Sequence, residues 1–298
     1  MTKKIDYKAR LREILEASSG LLDADDVFRQ FEVGRSTVAK HLKVLLHENH
    51  GYIGRIIGFY PDADTVIDLA EQEVGKVVGS NVSLVNLNCK QTVDSITKPK
   101  HRQFLDRFLA EWIVGDGKTV SVDAGVLVDF LYEKYVNFVH ESDNGLVSIA
   151  GTMNEKILIR GLEIAGFVRD SDYRKTGKNG EGDVQIEHRR NRTKILSCEI
   201  KSYAARERLL RGLTDIESSE KVGVGFFNDA TEFNPERTQT LINAGPLAIY
   251  MPDETLALVD GRSREKTTRR QDRVYRPLSS FFADMVEYRN TGVLPSNR

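Results

Sequence analysis

The chain has 298 residues, of which 40% are hydrophobic and 29% charged. This composition is typical of a folded globular protein with room for two or three modules, and it excludes a disordered chain. The net charge of -1 gives no support to nucleic-acid binding but leaves a local basic surface open. The two cysteines exclude a disulfide framework, the start of the chain lacks a signal peptide, and no apolar run reaches the ~18 residues of a membrane span, so we expect a cytoplasmic protein without membrane contact.

Residues 1–60 resemble a winged helix-turn-helix domain. Apolar spacing predicts helices over 7–18, 23–31 and 36–46, the last two with Asp23 and Ser36 as N-terminal caps. Residues 51–59 are predicted to be a strand pair, which would be the wing. In this motif the third helix enters the major groove of DNA, with residues near its N-terminus facing the bases.

Most candidate DNA contacts of this domain lie on the third predicted helix. They are, in chain order, Arg35, Ser36, Thr37, Lys40, His41, Lys43 and Arg55. Lys43 would reach a phosphate, Arg55 lies in the predicted wing, and the other five residues would face the bases. The alternative is a small helical module that binds another protein through a charged face.

Residues 61–150 carry no recognisable pattern of reactive groups and are predicted to be a helical linker domain. Apolar spacing predicts helices over 62–77, 101–113 and 126–140, and alternation predicts a strand over 81–88.

Residues 151–298 are predicted to form a mixed α/β domain of the α+β type, because helices and strands alternate along the segment. The predicted elements are helices over 153–165, 204–219 and 235–243 and strands over 183–188, 194–201, 222–227 and 247–251. A basic stretch over 262–276 and a helix around 281–288 follow.

The strands over 183–188 and 194–201 carry the most informative residues. Alternation places Asp183 on the polar side of the first strand and Glu199 and Lys201 on the polar side of the second. If the two strands form an antiparallel hairpin that turns near Asn191 or Arg192, Asp183 lies opposite Glu199 or Lys201. Two acids and a lysine are therefore predicted to meet at one end of the hairpin.

Two carboxylates and a lysine in one place are suited to phosphodiester hydrolysis. Carboxylates, with a backbone carbonyl, suit Mg²⁺, which neutralises phosphate charge and lowers the pKa of a bound water. A neighbouring lysine can orient or deprotonate that water. Glu155 is the charged residue on an otherwise apolar helix stripe and would be a third acid. The alternative is a solvated strand face with a cross-strand ion pair.

These residues resemble the PD-(D/E)xK nuclease superfamily, which includes most type II restriction endonucleases. The match runs from the helix with Glu155 through Gly182-Asp183 and Glu199-Ile200-Lys201 to the following αβ elements, about a third of the chain. One departure is Gly182, where the family often has proline. Asp170 and Asp172 are rivals for the first acid, but they lie outside the hairpin register.

The resemblance implies a role for each matching residue. Asp183 and Glu199 would bind Mg²⁺, Lys201 would assist the attacking water, and Glu155 would be an ancillary acid and metal ligand. The reaction implied is hydrolysis of a DNA phosphodiester bond that leaves a 5′-phosphate.

Two groups of basic residues could contact DNA phosphates outside the first domain. The denser group is Arg262, Arg264, Lys266, Arg269, Arg270, Arg273 and Arg276, and its alternative is a solvated surface loop. The second group, Arg189, Arg190, Arg192 and Lys194, lies on the predicted hairpin loop and is expected to be nearer the site; its alternative is a set of ordinary turn residues.

The sequence as a whole predicts a site-specific double-stranded DNA endonuclease of the restriction-modification type, with Mg²⁺ as cofactor. A homodimer is expected, because each subunit would cut one strand. A modification-dependent restriction or repair nuclease is one alternative. A transcription regulator that binds DNA without cutting it is another. The chain has no Gly-x-x-x-x-Gly-Lys-Ser/Thr phosphate-binding loop and no zinc-ligand pattern.

Overall fold

The computed structural model describes residues 6–110, 113–114, 119–176, 180–201, 206–218 and 220–297. The chain forms two compact units, one of Met1–Leu69 with Asn88–Ile149 and one of Ala70–Leu87 with Ala150–Arg298. The predicted three-domain division stays a prediction. Within the described residues, none of the helices combines the length and apolarity needed to cross a membrane.

Helices and strands alternate along much of the described chain. The helices are α1 (Tyr7–Ala17), α2 (Ala24–Phe28), α3 (Arg35–Glu48), α4 (Ala63–Val74), α5 (Val82–Leu109), α6 (Ala124–Asp129), α7 (Val136–Ile164), α8 (Arg206–Asp215), α9 (Pro235–Asn243), α10 (Asp253–Leu258), α11 (Gly261–Arg264) and α12 (Phe281–Thr291). The strands are β1 (Leu22–Asp23), β2 (Ile56–Ile57), β3 (Ile113–Val114), β4 (Thr119–Val120), β5 (Tyr173–Lys175), β6 (Val184–His188), β7 (Asn191–Lys201), β8 (Lys221–Gly225), β9 (Ala248–Met251) and β10 (Tyr275–Pro277).

The first three helices pack around a small apolar core. Leu11 of α1 and Val38 and Leu42 of α3 are fully buried in it, as their helical spacing predicts. The predicted cap of the third helix is wrong, because α3 begins at Arg35 and its N-cap, Gly34, has no capping side chain. Ser36 is therefore a residue of the first helical turn.

The predicted wing over 51–59 is wrong. Residues His50–Arg55 form a 3₁₀ helix, and β2 pairs in parallel with β1. Tyr52 and Ile53 are consecutive and both buried, a pattern that a strand with one solvated face does not allow. Arg55 accordingly does not lie in a wing, and its guanidinium donates to the carbonyl of Ser18.

The strand predicted over 81–88 is also wrong, because these residues belong to a 3₁₀ turn and to the start of α5. Val82, Val85 and Cys89 are buried at helical spacing, whereas Leu84 is 46% exposed and Leu87 is 49% exposed. The apparent alternation came from counting these two exposed leucines as core residues.

The second unit is built on a six-stranded mixed sheet with the strand order β10-β9-β8-β7-β6-β5. Strands β5, β6 and β7 are antiparallel neighbours, and β7 to β10 are parallel. The predicted mixed α/β fold of this segment is therefore confirmed. Strand β7 starts at Asn191, three residues earlier than predicted, so only Arg189 and Arg190 lie between it and β6.

Helices cover both faces of this sheet. On one face Tyr250 of β9 packs against Phe281 of α12, with ring centroids 5.2 Å apart. On the other, Leu209 of α8 lies against Gly223 of β8, which is paired with Glu199. The side of β7 that carries Glu199 is thus a helix-covered face, which argues against the solvated strand face given above as the alternative.

Candidate active site

The ends of β6 and β7 place Asp183 opposite Glu199. Val184 pairs with Cys198 in the antiparallel register, and the preceding residue, Asp183, continues that register. The Asp183 N–H donates to the Cys198 carbonyl at 2.8 Å. The predicted meeting of the two acids at one end of the hairpin is therefore observed.

The Lys201 ammonium lies between the two carboxylates. Lys201 Nζ is 3.2 Å from Asp183 Oδ2 and forms an ion pair with Glu199 Oε1. Asp183 Oδ2 also accepts the backbone N–H of Ile200 at 2.7 Å. Backbone and side-chain donors of β7 therefore fix the direction of the Asp183 carboxylate.

Burial and mutual repulsion govern the electrostatics of the pair. Burial, with the negative charges of Asp183 and Asp215, raises the pKa of Glu199, although the Lys201 ammonium opposes this. Burial alone would lower the pKa of Lys201, but its ion pairs with Glu199 and Asp183 outweigh burial and raise it. Lys201 is therefore protonated and donates to both acids.

Gly182, which stands where the resembled family often has proline, is required by the backbone. Its φ is +70°, a conformation that proline cannot adopt and that other L-residues rarely adopt. A Cβ at this position would lie 2.9 Å from the Cys198 carbonyl oxygen. Gly182 thus allows the chain to approach β7 closely just before Asp183.

Gly212 of α8 lies directly over the Glu199 side chain. A Cβ at position 212 would be 2.7 Å from Glu199 Cγ and closer still to the carboxylate. Sequence reasoning missed this residue. The available signal was a glycine inside a predicted helix, which costs about 1 kcal/mol relative to alanine and therefore calls for a packing or functional reason.

Glu155 stands apart from the Asp183–Glu199 pair in its contacts. Its carboxylate forms an ion pair with Lys175 of β5 at 2.7 Å, and Lys175 pairs with Val184 across the sheet. Among the described residues, no three Asp, Glu, His or Cys side chains come together as a group that could hold a metal ion. The role of Glu155 as a third metal ligand stays a prediction.

The donor chemistry of the pair fits Mg²⁺. Both side chains offer carboxylate oxygens only, which hard divalent cations prefer. Glu199 is 7% exposed and Asp183 is half-buried, and the charge of Lys201 alone does not balance the two carboxylates. A bound Mg²⁺ would be held by Asp183 and Glu199, with its remaining positions left to water or phosphate oxygens.

The rival acid Asp172 belongs to a separate, structural cluster. It is 4% exposed and accepts from Val168 N at 3.0 Å, Arg189 Nε at 3.2 Å and Arg289 Nη1 at 3.3 Å. Burial by itself would raise the pKa of Asp172, but these donors hold it below its usual value. These contacts tie β5 and β6 to α12 and account for the residue without catalysis.

We expect Asp172→Asn to lower the free energy of unfolding by about 3 kcal/mol at pH 7, because it leaves buried guanidinium charge unpaired. Since the folded-state pKa lies below the ordinary value of 3.8, the stabilisation is present above pH 3.8 and is lost as the pH falls below it. In urea unfolding, the difference in free energy of unfolding between wild type and Asp172→Asn should therefore be smaller at pH 3 than at pH 7. Asp170→Asn, at a side chain that is 76% exposed, is the control. An equal gap at both pH values would contradict this account.

The candidate DNA contacts of α3 differ in their surroundings. Arg35 Nη1 is 3.0 Å from Asp25 Oδ1, and its guanidinium lies 5.0 Å from the Phe28 ring centroid. His41 is half-buried, with its ring 5.5 Å from that of Tyr7. The exposed residues of this group are Arg35, Ser36, Thr37, Lys40 and Lys43. α3 therefore presents an exposed polar and basic surface, on which Arg35 contacts Asp25 and Phe28.

The basic stretch over 262–276 does not form one free surface. Arg276 is 3% exposed and pairs with Asp284, and Arg270 pairs with Glu220 at 2.8 Å. Arg262 and Arg264 on α11 are exposed. The expectation that all seven basic residues contact phosphate is therefore wrong for Arg276, which is a buried structural residue.

Arg189 and Arg190 of the hairpin turn lie at the far end of β6 from the site, and whether this group is nearer the site than the stretch over 262–276 stays a prediction. Asp183 and the turn at Arg189 and Arg190 lie at opposite ends of β6, whose five residues span ~17 Å at the rise of a strand. Arg189 is engaged by Asp172, and Lys194 lies 3.6 Å from Glu220.

No family model and no curated protein sequence matches the chain. Among solved structures, it is similar to a chain of "Restriction endonuclease PspGI-substrate DNA complex", with a TM-score of 0.48 and 14% identity over 77% of this chain and 93% of that chain. A similarity of this size establishes neither a family nor a shared function. Any functional assignment therefore depends on the geometry of the site itself.

Proposed function

We propose that this chain is a Mg²⁺-dependent DNA endonuclease of the PD-(D/E)xK type, with Asp183, Glu199 and Lys201 as its active-site residues. The observation that supports the proposal is the meeting of two acids from different strands on one protonated lysine. A surface strand pair would leave these groups solvated. Here Glu199 is almost fully buried under α8. Burial of a carboxylate lowers the stability of the fold, so an acid in this position favours a catalytic or binding role.

The reaction proposed is attack of water on the phosphorus, with cleavage of the P–O3′ bond and a 5′-phosphate as product. Mg²⁺, when bound, would neutralise charge on the scissile phosphate and lower the pKa of a water. Asp183 and Glu199 would hold the cation, and the Ile200 N–H keeps the Asp183 carboxylate aimed at the site. Lys201 would donate to the attacking water and to the phosphate oxygens as charge develops.

DNA reading is assigned to the segment of α1 to α3. Arg35 is held by Asp25 and Phe28, so less rotamer entropy would be lost when it contacts a base edge. Lys40 and Lys43 are exposed on α3 and suited to phosphate contact. The finer proposal is a type II restriction endonuclease that acts as a homodimer, since a single site per chain would cut one strand at a time.

The test is cleavage of unmodified phage and plasmid DNA with Mg²⁺ by the wild type and by Asp183→Ala. The wild type should yield discrete fragments with 5′-phosphate ends, and the variant should yield none, because one carboxylate cannot hold the cation in place. Asp170→Ala is the matched control, since Asp170 is exposed and outside the site. Cleavage by Asp183→Ala at the wild-type rate would remove this residue from the active site.

Two further outcomes separate the alternatives. Fragments from methylated DNA alone would favour a modification-dependent nuclease. Tight, sequence-specific binding without cleavage of any DNA would refute the nuclease proposal and favour a transcription regulator.

With Ca²⁺ in place of Mg²⁺, Lys40→Ala should weaken DNA binding and lower the salt dependence by about one phosphate contact.

A further inference from the structure

We propose that Gly212 is the positioning residue of Glu199: the missing side chain at 212 leaves the space in which the Glu199 carboxylate is held for cation binding. The proposal rests on the proposed function in assigning a cation to that carboxylate. The contact itself does not depend on it. A Cβ at position 212 would lie within 2.7 Å of Glu199 Cγ and would overlap the carboxylate atoms.

Helix α8 is held against the sheet, so it cannot easily move away from an added methyl group. The Lys221 ammonium, on a buried residue of β8, donates to the carbonyls of Leu213 and Ile216 at 2.7 Å each. Leu209, one turn before Gly212, packs so closely on Gly223 that a Cβ there would be 2.9 Å from Leu209 Cδ1. These contacts hold α8 against β8, the neighbour of β7, on both sides of position 212.

Glu199 therefore has to respond when the glycine is replaced. Its backbone is fixed by the parallel register with β8, in which Glu199 pairs with Gly223. The freedom left to it is rotation of its side-chain bonds, which would carry the carboxylate away from Asp183 and Lys201. A side chain at 212 should thus weaken cation binding by displacing the Glu199 carboxylate, the group nearest to the added Cβ.

The choice of variants follows from the geometry. Gly212→Ala should lower Mn²⁺ and Ca²⁺ affinity, measured by titration calorimetry, about 10- to 100-fold, the range observed when residues that orient metal ligands are changed. Gly151→Ala in α7 is the control, because a Cβ at that helical glycine meets nothing within 4 Å. It should leave cation affinity unchanged and should not destabilise the fold.

Two double variants test whether Gly212 acts through Glu199. Aspartate is one methylene shorter, so adding Glu199→Asp to Gly212→Ala should recover at least part of the lost Mn²⁺ affinity. Glu199→Ala empties the space, so Gly212→Ala should lower the urea midpoint in the wild-type background but not in that one, where the helix propensity of alanine should raise it. This second comparison stays informative if Gly212→Ala alone folds poorly.

The outcomes separate this inference from the proposed function. An equal midpoint shift in both backgrounds, or unchanged Mn²⁺ affinity in folded Gly212→Ala, would overturn the positioning role. If the wild type neither binds Mn²⁺ nor cuts DNA, the proposed function fails. The contact between positions 212 and 199 would still be established if Gly212→Ala lowers the urea midpoint when Glu199 is present and does not lower it in Glu199→Ala.

Discussion

Replacing Lys201 by methionine is expected to reduce DNA cleavage about 10³-fold and to increase the stabilisation that Ca²⁺ gives to the protein. The loss of cleavage follows from removing the donor to the attacking water and the developing charge. The second effect follows from the ion pairs. The ammonium now neutralises Asp183 and Glu199, and without it these acids repel each other until a divalent cation binds.

The measurements are thermal unfolding with and without Ca²⁺ and single-turnover cleavage with Mg²⁺. Without Ca²⁺, Lys201→Met should be less stable than the wild type by about 3 kcal/mol, because a partly buried ion pair has lost one partner. Lys194→Met is the control on the same strand, since Lys194 pairs with Glu220. A smaller Ca²⁺-induced rise in the unfolding temperature of Lys201→Met than of the wild type would contradict the neutralisation of the two acids by the ammonium.

The hairpin of β6 and β7 could be predicted from sequence because its information is local. Alternation with a period of two predicts which residues share a face. The predicted turn near Asn191 or Arg192 gave the observed pairing of Asp183 with Glu199, although the turn lies at Arg189 and Arg190 and the register shifts between Glu187 and His188. The convergence of Asp183, Glu199 and Lys201 could therefore be predicted from the sequence. The sequence left a solvated strand face open as the alternative and did not show that a helix covers this side of β7. Ser197 is fully buried and Glu199 is 7% exposed, and α8, the next helix along the chain, lies over the Glu199 side chain.

The errors elsewhere have the same physical origin. Over 81–88 an alternating reading and a helical reading of the apolar residues were both available, and only the tertiary packing of Val85 and Cys89 decides between them. Over 51–59 the aromatic and β-branched residues favoured a pair of strands. Tyr52 and Ile53 are instead buried together in a 3₁₀ helix, and β2 pairs with β1 and not with a neighbouring strand of a wing.

Gly212 and Lys221 show what sequence reasoning cannot supply. The meaning of a glycine depends on which side chain lies against it, and that side chain is 13 residues away on another element. Lys221 would be assigned to a solvated surface by composition, yet its ammonium holds the end of α8 through the carbonyls of Leu213 and Ile216. Burial lowers the pKa of Lys221, as does the nearby positive charge of Arg269.

The second large effect is expected at Gly182, where introducing the proline typical of the resembled family should abolish activity. Proline fixes φ near -65°, whereas Gly182 has a φ of +70°. The segment before β6 would have to leave its present path, and with it the hydrogen bond from Asp183 N to the Cys198 carbonyl. Asp183 would then no longer lie opposite Glu199, so Gly182→Pro should cut DNA at least about 10³-fold more slowly and bind Mn²⁺ weakly.

Alanine variants separate backbone strain from steric overlap. Gly166 has a φ of +83°, and a Cβ at that position would meet nothing within 4 Å. Gly166→Ala should therefore lower the free energy of unfolding by ~1–2 kcal/mol, the cost of a left-handed backbone conformation alone. Gly182→Ala meets the Cys198 carbonyl oxygen at 2.9 Å as well, so it should cost more in urea unfolding and should also slow cleavage. Equal costs for the two alanines, with full cleavage by Gly182→Pro, would mean that the Asp183 carboxylate does not depend on this turn. The family's proline and this chain's glycine would then be interchangeable, which the φ of Gly182 argues against.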